Sequence, residues 1–235
     1  MKLSFNPLYL LASASLLLSS CELFEVENPY VTEDRFIDGQ QSLPTWLNGV
    51  RRQTSLTVGT VVEFTEIVSD NYFNNYTQSS KVFDNPEINH FDRDVTNIQA
   101  NIQKLLEMSE FGLTKFTFSD SPADQQIRAE LLFSKAYAHI LGAELYVGLP
   151  TTVLGEVKSP VELRNMAIAL LNEASTLYST AADQYACTLL IARCHYGLGN
   201  MTEATNFANQ IVATPLLLRQ VKYGTQNGPS NNFQS

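Results

Sequence analysis

The chain has 235 residues, with 24 Asp and Glu against 15 Lys and Arg and a formal net charge of −9. Nucleic-acid binding needs clustered Lys and Arg against phosphate, and the sequence has no such cluster. An acidic surface also disfavours lying flat on anionic lipid, and the length allows one large or two small domains.

Lys2 is the only charge before an apolar run from Leu8 to Leu18, which ends in Leu18-Ser19-Ser20-Cys21. A cationic start, a short apolar core and small residues before a cleavage point read as an export signal. A Cys directly after those residues makes it a lipoprotein signal. The Cys21 thiol is expected to be acylated, and the mature chain to begin there. Stable anchoring takes more than one acyl chain. The competing reading is an ordinary secretory signal whose last small residue happens to precede Cys21.

Residues 22–37 are acidic, carry Pro29 and lack helical period, as a tether would. From Ser42 to Thr57 the positions Leu43, Trp46, Leu47, Val50 and Leu56 follow helical spacing, and a second helix is expected over Val58–Val68. That spacing assigns Trp46 to core packing rather than to an exposed aromatic platform. Ser69 to Asn85 holds no period and is dense in Asn, Asp, Ser and aromatic residues, so a loop is expected over 69–90. Helical spacing resumes from His90 to Phe111. Ser121-Pro122 offers an N-cap with Pro at the first position, and a helix is expected over Ala123–Tyr146, stopped by Gly148 and Pro150. Ser159-Pro160 opens another to Tyr178. Two more are expected over Ala182–Leu198 and Thr202–Ala213, and no segment reads as a strand.

Cys187 and Cys194 lie seven apart on one expected helix, a rise of about 10 Å, beyond disulfide reach. They read as small core residues. Ala192, Gly199 and Ala204 place small residues where two antiparallel helices approach closely around a glycine turn, the tetratricopeptide pattern. From Leu216 the apolar pattern decays, and Gly224 to Ser235 reads as a loop.

These pieces together resemble the SusD/RagB outer-membrane lipoproteins of Bacteroidetes. The lipobox is followed by Asn28-Pro29 and Thr32-Glu33-Asp34. Asp70-Asn71-Tyr72 follows two helices. A long helix carries Arg128-Ala129-Glu130 and Ala136-Tyr137-Ala138 and ends in Tyr146-Val147-Gly148-Leu149-Pro150. The family pattern there is Tyr-Gly-x-x-Pro, so Val147 is a departure. Asn227-Gly228-Pro229-Ser230-Asn231 is similar to a loop seen after the family's repeats. The resemblance implies an all-α fold of tetratricopeptide-type hairpins. It also implies capture of oligosaccharides or other nutrients at the cell surface, and delivery to a SusC-like TonB-dependent outer-membrane transporter. Family members are usually much longer, so residues 216–235 are expected to begin a truncated C-terminal region. The expected organisation is a signal over 1–21, a SusD-like helical region over 22–120, helix pairs over 121–215 and an irregular tail over 216–235. Glu22 and Glu25 resemble the acidic signal that sends such lipoproteins outward, so the expected location is the outer membrane, facing the surface.

Sugar capture wants a flat aromatic beside amide or carboxylate groups, because a sugar presents an apolar C–H face and a hydroxyl rim. Asp70, Asn71, Tyr72, Asn74, Asn75 and Tyr76 supply that mixture and are the candidate ligand residues. The alternative is a solvated loop whose Asn and Asp side chains cap its own turns. No phosphate loop, nucleophile elbow or His-Glu-x-x-His is present. His90, His139 and His195 are scattered in sequence, and Glu63 and Glu66 read as a solvated helix face. No catalysis, metal or cofactor is expected. A helical scaffold lipoprotein without a small-molecule site is the rival reading.

Overall fold

The computed structural model describes residues 36–39, 41–71, 88–89 and 91–212, and these are mostly helical. The chain divides into a unit over Met1–Gly39 and a second over Gln40–Ser235. Of the first, a turn is described in which the Gly39 N–H donates to Phe36 O at 3.2 Å. The second carries α1 (Ser42–Val68), α2 (Arg93–Lys115), α3 (Pro122–Leu145), β1 (Leu149–Pro150), β2 (Val157–Lys158), α4 (Pro160–Leu177), α5 (Ala181–Gly197) and α6 (Met201–Val212).

Where the sequence suggests two helices there is one, α1, 27 residues long. The Val and Thr content around residue 57 weakens local helix propensity, but tertiary contacts override it. Thr57 is fully buried. Its hydroxyl lies 2.8 Å from Gln53 O and 3.1 Å from Asn101 O, and the Gln53 amide donates to Asn101 O. These polar groups are satisfied across the α1–α2 interface, so the helix continues through them. The two-residue strands β1 and β2 were not anticipated. They pair antiparallel, with Leu149 opposite Lys158, and sit where Gly148 and Pro150 were expected only to stop a helix.

Ser121 and Ser159 cap their helices as the sequence suggests, and Asp92 and Thr180 do the same at two starts where no cap was expected. Asp92 accepts from the Asp94 N–H at 2.8 Å, and Ser121 from the Asp124 N–H at 3.2 Å. Ser159 and Glu162 form a reciprocal capping box at the start of α4, and Thr180 caps α5 through the Asp183 N–H. Each satisfies one or two of the orphan N–H groups of a first turn, a contribution of about 1 kcal/mol.

Helix α3 is central because two faces of it are apolar. Leu131, Ala138 and Leu141 join Leu47, Val50, Ile102 and Leu105 in one core. Ala129, Ala136 and Ile140 join Leu171, Cys187, Ile191 and Cys194 in a second. The first core runs across residue 120, uniting α1 and α2 with α3. Ion pairs tie α3 to its four neighbours: Arg51–Glu130 to α1, Lys135–Glu110 to α2, Arg128–Glu173 to α4 and Arg193–Glu144 to α5. Most of these groups are partly exposed, so each pair contributes little beyond orientation.

Trp46 lies against Phe111 with ring centroids 4.4 Å apart, and its indole N–H donates to Met108 O at 2.9 Å. Gly112 permits this approach, since a Cβ there would lie 3.0 Å from the indole and from Leu131. The α5–α6 turn uses Gly199 at φ +78°, and the small residues Ala192 and Ala204 are both buried at that hairpin.

Candidate functional site

Of the candidate ligand residues, the structure describes Asp70 and Asn71. Tyr72, Asn74, Asn75 and Tyr76 lie outside the described residues, as does the proposed lipidation site Cys21. Asp70 and Asn71 close the C-terminus of α1. The Asp70 N–H donates to Ile67 O at 3.1 Å and the Asn71 N–H to Glu66 O at 2.9 Å. With Asp70 at φ +60°, this is the Schellman arrangement, in which a left-handed residue lets two N–H groups satisfy the last helical carbonyls. Asp is one of the few residues other than Gly that tolerate this conformation. The Asn71 side-chain amide then donates to Glu66 Oε2 at 2.8 Å. Asn71 is therefore engaged in capping, and Glu66 is its partner rather than a bare solvated carboxylate. The Asp70 side chain is exposed.

Asp70 and Asn71 lie at the end of the bundle that also carries the β1–β2 hairpin. Tyr146 Oη donates to Val95 O at 3.0 Å, and Gln103 Nε2 to Pro150 O at 2.9 Å. These bonds fasten the hairpin to the first half of α2. Burial pushes the Tyr146 phenol up to about 12, so it stays protonated and serves as a donor. Sequence reasoning did not single out this hairpin. Val147, Val153 and Leu154 are almost wholly exposed there, and Leu154 has φ +55°. The sequence signal was an uncharged stretch from Leu145 to Gly155 in an otherwise acidic chain.

His139 is fully buried on α3, and neither ring nitrogen has a hydrogen-bond partner. Burial, reinforced by the Lys135 charge, lowers its pKa to about 4. The ring is neutral at pH 7 and has no path to a substrate. His195 is stacked on Phe207 with centroids 5.4 Å apart. Cys187 and Cys194 are buried, and neither is in a disulfide. Burial, with the Glu144 carboxylate nearby, pushes Cys194 up to about 12, the opposite of an activated nucleophile. Among the described residues, no group of three or more His, Cys, Asp or Glu is placed to hold a metal ion. None of the described helices is long and apolar enough to cross a membrane.

No family model matches the chain, and no curated protein or solved structure resembles it at a significant level.

Proposed function

We propose that this chain is a surface-exposed outer-membrane lipoprotein of the SusD/RagB type. In this reading it binds a glycan or similar nutrient and delivers it to a SusC-like TonB-dependent transporter. The observation that carries the reading is the leader: Lys2, the apolar run and Leu18-Ser19-Ser20-Cys21. A lipid on Cys21 supplies the membrane attachment. The α5–α6 hairpin supports the tetratricopeptide-type part of the reading, because buried Ala192 and Ala204 flank a glycine turn there. Asp70, and Tyr72, Asn74, Asn75 and Tyr76 beyond it, are the residues assigned to sugar contact. The body has no catalytic part to play.

The deciding experiment has two arms. Mass spectrometry of the N-terminal peptide from the native protein is expected to find Cys21 acylated. Isothermal titration against a glycan panel is expected to give binding that Tyr72→Ala with Tyr76→Ala abolishes. A bare Cys21 thiol would end the lipoprotein reading. A lipidated, folded chain that binds no glycan would favour the scaffold reading, which the exposed apolar side chains at the β1–β2 hairpin also support.

A further inference from the structure

The helices run alternately up and down, so alternate connections meet at the same end. Cross-helix contacts fix the register. Gln53 and Thr57 face Asn101, Tyr146 reaches Val95, Arg164 Nη2 donates to Ala143 O at 3.2 Å, and the Arg164 guanidinium lies against Gly197. The C-terminus of α1, the N-terminus of α2, the β1–β2 hairpin and the α5–α6 turn therefore share one end. The α2–α3 and α4–α5 connections share the other.

The two ends differ in chemistry. Of the twelve large apolar side chains most exposed among the described residues, all but Leu189 and Val212 lie at the hairpin end. Val147 is 99 % exposed, Val153 82 % and Leu154 102 %, and Tyr196 and Met201 flank the α5–α6 turn. At the opposite end the exposed connecting residues are Thr117, Ser119, Asp120, Ser121, Ser179 and Thr180. Single exposed apolar side chains are ordinary; their collection at one end is not. Leu154 adds a second sign, because a left-handed leucine is strained and here gains no burial in return. Glu66, Asp70, Asp92, Asp94, Glu144, Glu156, Glu162 and Glu203 lie at this end, against Arg93, Lys158, Arg164 and Arg193, so carboxylates outnumber cations there. Lys158 is already held by Glu156 and Glu162.

An acidic rim opposes a second copy of the same face and an anionic bilayer alike. We infer that this end of the bundle docks a different protein, whose contact face is apolar at its centre and ringed by Lys or Arg. Val153 and Leu154 are the anchors that enter its apolar centre, and the carboxylates set orientation and association rate. The inference stands whether or not the chain captures a nutrient.

A photo-crosslinking benzophenone residue placed at Val153, and as a control at Ser179, tests this in the source cells with the full chain. The expected result is one protein adduct from position 153 and none from 179. Its cross-linked peptide should lie in an apolar patch bordered by Lys or Arg. Val153→Asp with Leu154→Asp, read from a neighbouring probe at Thr152, should cut the yield about tenfold while leaving the melting temperature unchanged, since both side chains are in solvent. Raising salt should lower the yield, as steering across a Debye length of about 10 Å requires. Adducts to the chain itself, to a second copy or to lipid would overturn the inference, as would no adduct or equal yields from the two ends.

Discussion

Acid should loosen this protein through one buried side chain. His139 has no exposed surface and no hydrogen-bond partner on either ring nitrogen. Its pKa is lowered from 6.5 to about 4, first by burial and then by the Lys135 charge. The unfolded chain takes up the proton near the ordinary value, whereas the folded chain resists until about 4. Stability from this group is therefore intact above pH 6.5, falls as pH drops through the window, and reaches its full loss near pH 4. At about 1.4 kcal/mol per unit, the loss is of order 3 kcal/mol, a large part of a typical 5–15 kcal/mol stability. His139→Leu replaces the ring with an apolar side chain and removes both the titration and the unpaired nitrogens. The variant should be at least as stable as the parent at pH 7.5, and its stability should change much less between pH 6.5 and 4.5. Urea unfolding followed by circular dichroism at pH 7.5, 5.5 and 4.5 measures both. A parallel loss in parent and variant, or an imidazole resonance titrating near 6.5 in the folded protein, would refute the reasoning.

Removing the α4 capping box by Ser159→Ala should lower stability by about 1 kcal/mol. It should also raise the Glu162 carboxyl only part of the way in a carbon-detected NMR titration, because the larger cause holding it low, the residue-159 N–H, remains when the hydroxyl is lost. In a Cys21→Ser background, a thiol reagent should leave Cys187 and Cys194 unmodified in the folded chain and modify both in urea, because both are buried. Leu154→Gly should not destabilise the protein, and thermal melting should show equal or slightly greater stability. It relieves a left-handed backbone at φ +55° and deletes a side chain with nothing to pack on.

The helical part of the fold was readable because its signals are local. The cap residues Ser121 and Ser159 lie immediately before the helices they start, and each apolar stripe repeats on one chain segment. The break expected near Thr57 was misleading for the converse reason. Its hydroxyl and the Gln53 amide find partners on Asn101, 44 and 48 residues away. Trp46 was assigned to the core from its helical spacing, and its contacts with Met108 and Phe111 agree. Asp70 and Asn71 stood out by composition, but composition did not reveal that both complete a helix terminus. The hairpin displaying Val153 and Leu154 went unseen because two-residue strands carry no periodicity.

Residue order alone determines the Leu18-Ser19-Ser20-Cys21 spelling on which the proposed leader rests, the acidic balance and the Ser-Pro starts of two helices, since each depends on neighbours in the chain or on simple counts. Tertiary packing alone buries His139 completely and raises Cys194 to about 12. It also collects the exposed apolar side chains at one end of an up-and-down bundle. Those properties depend on which helices surround a group and which connections meet in space, and residues far apart in sequence decide both.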